Sequence, residues 1–412
     1  MTVFARTDEI KVLRDPVHSY VHVEYEVIWQ LINSAWVQRM RRIRQLGGAF
    51  MVYHTADHTR FSHSLGVYEI VRRMVSEVPD LAGRLSEKEK VTVMAAGLLH
   101  DVGHGPYSHA FEGVLGESHE TYTCRIIEED PEIRGILEAA EPGLSKDVAD
   151  VIRHRSANPL LPQLISAQLD ADRMDYLLRD AYFTGTTYGY FDLERILRTL
   201  RVSGDLVVIK ESGVYAIENY VMARYHSYWQ IYYHPGARSF ECVLANLFAR
   251  LKHLRREGRM PASIPAFEPL LEGKRLSLEE YRRLDEYACS YAFEVLLDCE
   301  DAIVKDLAGR LLNRGLFDYM DASEENISRV KKKTLLKYGY DPEYYLARDG
   351  VGQRVYIPYR LSEDNAIRLR LHGGEIRELS QASPIVESLV RGRPLRDDRI
   401  YFPKEIRAGL WR

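Results

Sequence analysis

The stretch Val91-Thr-Val-Met-Ala-Ala-Gly-Leu-Leu99 most limits how this chain can fold. It is almost wholly apolar, so it belongs inside a core, on a helix buried all round. It follows a capping-box pattern, Ser86-x-x-Glu89, and the helix breaks at Gly103 to Pro106. Between run and break stand His100 and Asp101. A buried helix therefore delivers an imidazole and a carboxylate side by side to its end. A carboxylate left unpaired there is costly. A divalent cation removes that cost, and mixed nitrogen and oxygen donors suit borderline ions such as Mn, Fe, Zn, Co or Ni.

Other candidates crowd the same half of the chain. Nine of the fourteen histidines fall in the first 119 residues. Two more metal ligands are expected from elsewhere: His63, in Arg60-Phe-Ser-His63-Ser-Leu-Gly66, and Asp172, in Asp170-Ala-Asp172-Arg173-Met-Asp175-Tyr176. Taken singly, each residue has an ordinary alternative. A lone histidine on an apolar helix is commonly a satisfied core residue. Arg60 and Arg173, taken alone, read better as surface or structural ion pairs. Tyr176 and Asp180 share a helical face and could pack and cap. Arg224 and Tyr232 lie in a tyrosine-rich stretch that could be core or subunit interface.

The chain is 412 residues long, 46% hydrophobic and 28% charged, so a large core is within reach. Its net charge of −4 argues against a general polyanion-binding surface and disfavours long nucleic acid. The four cysteines form no CxxC pair, which argues against a zinc ribbon, a redox motif or a secreted disulfide framework and fits free thiols in a reducing cytosol. The N-terminal stretch has no apolar signal core, and no apolar run spans a bilayer, so the expectation is a cytoplasmic protein without a membrane partner.

Helices are expected over Ile28–Leu46, Phe61–Val78, from Ser86 through the apolar run, and over Glu120–Glu128, Ser145–His154, Leu161–Ala181 and Asp192–Leu200. Asp205–Lys210 and Val214–Ile217 read as a hairpin around Glu211–Gly213. A long helix follows from about Glu218, bent or interrupted at Pro235-Gly236, and more helices cover Ser277–Asn313. Val355–Tyr359, Ala366–Leu371 and Glu375–Leu379 read as strands of a small α+β unit.

The ordered set His63 … His100-Asp101 … Asp172 resembles the H…HD…D pattern of the HD superfamily of metal-dependent phosphohydrolases. The flanking words Gln45-Leu-Gly-Gly48, Arg60-Phe-x-His-Ser-Leu-Gly66, His100-Asp-Val-Gly-His-Gly-Pro-Tyr-Ser-His109 and Asp172-Arg-x-Asp-Tyr-x-x-Arg-Asp180 resemble the branch that contains deoxynucleoside triphosphate triphosphohydrolases. The likeness runs from about Lys11 to Ala245. With the residue patterns above, it gives the expectation of a mainly α fold: a lead-in over 1–50, a helical HD core over 51–255 with a small β-hairpin insertion, and, from the residue patterns alone, a C-terminal helical and α+β region over 256–412.

The resemblance implies that His63, His100, Asp101 and Asp172 bind a divalent metal (Mn, Mg, Fe, Zn, Co or Ni), which acidifies the attacking water. It implies that His104 faces the phosphates and His119 protonates the leaving oxygen. Glu112, where the family has aspartate, would orient His119, and Glu120 completes the family's His-Glu pair. Arg60, His109 and Arg173 would meet the triphosphate, with arginine at 173 where lysine is commoner. Gln45, Tyr176 and Asp180 would enclose a deoxyribose, with Leu46 beside them and Arg224 and Tyr232 near the base. The products would be deoxynucleoside and inorganic triphosphate.

The branch also implies a homo-oligomer, tetramer or dimer, in which deoxynucleoside triphosphates act as activators as well as substrates. Lys11, Val12, Asp15, Asn33, Gln38 and Arg41 match positions of such an activator site, with Asn33 replacing an acid. Two readings stand beside the main one. One is an HD phosphohydrolase acting on a monophosphate, a cyclic nucleotide or single-stranded nucleic acid. The other is a non-catalytic nucleotide sensor.

Overall fold

Apolar residues at helical spacing govern the whole chain, and the computed structural model, which describes residues 4–351, 366–391 and 397–410, is mainly α-helical. It opens, however, on an antiparallel hairpin, β1 (Arg6–Asp15) and β2 (Ser19–Tyr25). Charged residues on β1 hide its alternation, so sequence reading passes over it. Next come α1 (Glu26–Asn33) and α2 (Ala35–Arg39), where one helix was expected. The break is tertiary. The Ser34 hydroxyl donates back to Leu31 O at 2.6 Å, and Ala35 N–H donates to Glu132. Trp36 Nε1 meanwhile reaches Asp130 at 2.7 Å. The chain leaves helical geometry by Ile43, so Gln45 and Leu46 lie on an irregular segment.

The centre is a helical stack: α3 (Arg60–Glu77), α4 (Pro79–Arg84), α5 (Glu87–Leu99), α6 (His109–Leu115), α7 (His119–Glu129), α8 (Pro131–Ala140) and α9 (Leu144–Ile152). The capping box at Ser86 forms as expected, and α5 is buried from Val91 to Leu99. Then α10 (Leu160–Ile165) and α11 (Ala171–Thr184) replace the expected continuous helix. The Asp170 carboxylate accepts from Ala167 N–H and Arg173 N–H, closing the break and capping α11.

A correction falls on the hairpin. After α12 (Leu193–Thr199), β3 (Leu200–Ser203) pairs with β4 (Leu206–Lys210) across Gly204-Asp205, where Gly204 has φ +58°. Val214–Ile217 begins a helix, α13 (Val214–Ser227). Its β-branched residues mimic a strand, but Ala216, Ile217, Tyr220 and Val221 bury one helical face. A π-helical turn at Tyr228–Tyr232 precedes α14 (Pro235–Arg256), so the expected interruption lies just before Pro235.

Further helices, Glu286–Leu296 and Ala302–Leu312, lead into β5 (Phe317–Asp321), which joins β6 (Ala347–Val351) and β9 (Asp397–Pro403) in the order β5-β9-β6. The segments expected as strands near 366–379 do form β7 (Arg368–Arg370) and β8 (Ile376–Glu378). They extend the insertion hairpin into a sheet of order β3-β4-β7-β8. Val355–Tyr359 lies outside the described residues. Among the described residues, no helix is long and apolar enough to cross a membrane.

Close approach of α3 and α11 depends on Gly66. A Cβ there would lie 1.8 Å from Asp175 Oδ1 and 2.4 Å from an Arg179 nitrogen. Gly66→Ala is expected to cost about 3 kcal/mol, as overpacking of a filled core does. Denaturant titration checks this, and an unchanged midpoint would contradict the packing described.

Candidate active site

Three helices deliver the charged cluster. From α3 come Arg60 and His63; from the end of α5, His100 and Asp101; from α11, Asp172, Asp175, Tyr176, Arg179 and Asp180, whose spacing puts them on neighbouring turns. Ligand atoms of His63, His100 and Asp101 lie within 4.8 Å of one another. Asp172 Oδ1 is 3.1 Å from His63 Nε2 and 3.6 Å from His100 Nε2.

The four residues fit a divalent cation on their own chemistry. His100 Nδ1 contacts Gly97 O at 2.8 Å, which places its proton there and leaves the Nε2 lone pair for a ligand. That Nε2 is buried and has no hydrogen-bond partner among the described residues. His63 Nδ1 lies 2.7 Å from Asp175 Oδ2, the carboxylate support that metal-binding histidines use. Burial opposes charge on His63, yet hydrogen bonds to Asp172 and Asp175 outweigh it and lift its pKa to about 10. Burial likewise opposes the charge of Asp101, but Arg60 holds that carboxyl well below its ordinary value.

Asp175 itself is a junction. His18 Nε2 lies 2.6 Å from its Oδ1, and Arg179 donates to both of its oxygens at 2.9 Å. Arg179 also donates to Asp15 at 2.8 Å.

A second group stands beside Asp101. His104 Nε2 lies 3.3 Å from Asp101 Oδ1, and its ring stacks on His119 at 3.7 Å. Burial, Arg60 and His119 push His104 well below its ordinary pKa. Glu112 accepts from His119 N–H at 3.1 Å and contacts its Nδ1, so the longer glutamate does reach. Gly103 permits this assembly, since a Cβ there would lie 2.3 Å from His119 O. Tyr107 and Ser108 both have φ +54°, a strained pair for residues with side chains. The Ser108 hydroxyl accepts from Arg60 at 2.7 Å, so the strained loop holds a cavity cation.

Beside these groups lies one cavity of about 430 Å³; Asp101 and Asp172 reach it, whereas His63 and His100 are not among its lining residues. Gln45, Leu46, Arg60, Asp101, His104, His119, Glu120, Asp172, Arg173, Tyr176, Asp180 and Tyr232 line it. Arg173 donates to Asp170 at 2.8 Å, and its Nε is buried without a partner among the described residues. Tyr232 donates to Asp180 Oδ2 at 2.7 Å and packs edge-on against Tyr176. Arg224 does not line the cavity; it is buried behind the wall, bonded to Gln168 at 2.5 Å. The side chain of His109 lies outside the described residues.

None of the six activator-site candidates lines the cavity. Lys11 pairs with Asp8, Val12 is exposed, and Asp15 is buried against Arg179. Asn33 donates to Trp29 O, while Gln38 accepts from Arg41, whose guanidinium lies over the Phe61 ring.

Sequence reading assigned no role to several residues found here. Asp175 stands inside a quoted motif, three positions after Asp172, and that spacing was the available signal. Ser108 likewise stood in a quoted motif. Tyr228 and Tyr233 stood in the tyrosine-rich stretch, and Arg238 and Glu241 follow Pro235-Gly236; all four line the cavity. Arg238 is gripped by Asp349 of β6 at 2.7 and 2.8 Å, so the C-terminal region supports the cavity wall.

Residues 60–180 match the HD domain, and residues 191–408 match the HD associated region. The chain belongs to the HD-domain family. This HD protein is 46% identical to the uncharacterised protein YwfO of Bacillus subtilis, over 97% of its own length and 94% of that protein. A crystal structure of a phosphohydrolase from Bacteroides thetaiotaomicron superposes with a TM-score of 0.86 at 27% identity, covering 96% of this chain and 100% of that one. The deoxynucleoside triphosphate triphosphohydrolase SAMHD1 homolog of Dictyostelium discoideum is 28% identical over 60% of this chain and 50% of that protein.

Metal content tests the cluster. His100→Ala and Asp101→Ala should fold and lose bound Mn²⁺ in equilibrium dialysis. Asp175→Asn should weaken metal binding about 10- to 100-fold. Full occupancy in all three would remove the metal assignment.

Proposed function

We propose that this HD-domain phosphohydrolase cleaves deoxynucleoside triphosphates to deoxynucleoside and inorganic triphosphate. One observation carries the reading: a single cavity is lined both by Asp101 and Asp172 of the charged cluster, with Arg60 and Arg173, and by Gln45, Tyr176, Asp180 and Tyr232. Its volume suits one small molecule. Gln45 Oε1 is a buried acceptor without an internal partner among the described residues, so it calls for a donor from the ligand. A sugar hydroxyl meets that demand.

A divalent ion held by His63, His100, Asp101 and Asp172 would supply Lewis-acid polarisation and a water acidic enough to react at neutral pH. The protein's residues do the rest. Arg60 and Arg173 neutralise the triphosphate and hold it in place. Water adds to the α-phosphorus while the bond from that phosphorus to the 5′-oxygen breaks. His119 protonates the departing oxygen, oriented through Nδ1 by Glu112. His104, buried and held neutral, packs against the His119 ring and keeps it facing the cavity. Tyr176 beside Tyr232 and Asp180 forms the wall against which a 2′-hydroxyl would clash. The identity of the metal, control by an activator nucleotide, and assembly into an oligomer belong to the same proposal.

Each deoxy- and ribonucleoside triphosphate, incubated with purified protein and Mn²⁺ or Mg²⁺, tests the reading. Deoxynucleoside should appear with intact triphosphate, and ribonucleotides should turn over much more slowly. Equal rates would sink the sugar argument, and monophosphate products would sink the reaction class. His119→Ala should lower kcat by about 10²- to 10⁴-fold with little change in KM. An unchanged kcat would remove its role as acid.

A further inference from the structure

Behind the sugar-facing carboxylate lies a histidine that the reaction above leaves unused. His58 is buried, and its ring stacks on Phe183 at 4.6 Å with 13° between planes. Its Nε2 lies 2.8 Å from Asp180 Oδ1. Its Nδ1 is buried and has no hydrogen-bond partner among the described residues. A proton on Nδ1 would therefore be a buried donor with nothing to bond, a cost of about 1–3 kcal/mol. The proton sits on Nε2, and His58 donates to Asp180.

The carboxylate is thus held at both oxygens, by His58 on one and by the Tyr232 hydroxyl on the other. It is almost fully buried, so these two donors fix its plane. The His58 backbone does a second job: its carbonyl accepts from Gln45 N–H at 3.0 Å. Gln45 carries the partnerless acceptor in the cavity. One residue therefore holds both groups assigned to the sugar, Asp180 through its ring and Gln45 through its main chain.

We infer that His58 is a positioning residue for deoxyribose recognition, setting Asp180 beside Gln45 so that the pair reads the 3′-hydroxyl. The inference rests on the deoxynucleotide reading and deepens it. His58 touches no substrate. Without its ring, Asp180 keeps only the Tyr232 donor and can turn about its terminal bond. The benefit of a 3′-hydroxyl then falls, whereas phosphate binding and metal binding, which use other residues, change little.

The test compares kcat/KM for a deoxynucleoside triphosphate with that for its 2′,3′-dideoxy analogue. Wild-type protein, His58→Ala and His58→Gln are measured with metal content and melting temperature alongside. In His58→Ala the preference for the 3′-hydroxyl should fall about tenfold, the worth of one well-placed bond to a charged group. The dideoxy substrate should lose much less, and metal content should match wild type. Glutamine, whose amide can reach where Nε2 stood, should restore most of the preference; it also serves if the alanine variant fails to fold. An equal loss on both substrates, or a preference unchanged in both variants, overturns the inference while leaving the deoxynucleotide reading intact. Wild-type protein that releases no deoxynucleoside from any deoxynucleotide overturns both.

Discussion

The Asp175 carboxylate is bound on every side, and the rest of the site depends on it. Its four contacts come from His18 between β1 and β2, His63 on α3, and Arg179 one turn further along α11. One buried anion thereby ties the N-terminal hairpin to α3 and α11, two of the three helices that deliver the charged cluster. Breaking a buried pair of this kind costs about 3–5 kcal/mol, because it strands an uncompensated charge. Gly66 makes the cluster sterically feasible. The activator-site candidate Asp15 belongs to this network through Arg179. The N-terminal hairpin is therefore mechanically joined to the charged cluster.

Around that anchor the cavity divides its chemistry. Arg60, caught between Asp101 and Ser108, and Arg173, held by Asp170, supply positive charge without drifting into solvent. Asp180, Gln45 and the tyrosines supply acceptors and flat surfaces. Arg238 adds a wall from α14, pinned by a strand that lies more than a hundred residues later. The geometry of this cavity thus depends on the HD helices and on the region that follows them.

Much of this was legible in the sequence, for identifiable reasons. The buried α5, its capping box and the helix over Arg60–Glu77 follow from local pattern, and local pattern survives folding. That His63, His100, Asp101 and Asp172 come together was expected from the resemblance of their order and flanking motifs to the HD pattern, and the structure brings them within reach of one another. What sequence reading missed was set by distant partners. Glu132 and Asp130 break the helix at Ser34; nothing near Ser34 announces them. Val214–Ile217 has strand-like residues, but α13 buries them at helical spacing. Asp175, His58 and Arg238 act by holding other residues, and such roles exist only in three dimensions.

The central claim is that water attacks the α-phosphorus of a deoxynucleoside triphosphate within this cavity. Hydrolysis in ¹⁸O-labelled water, with both products read by mass spectrometry, tests it most directly. The account predicts one labelled oxygen in the triphosphate and none in the deoxynucleoside. Label in the deoxynucleoside, or in inorganic phosphate released beside a diphosphate, would contradict it.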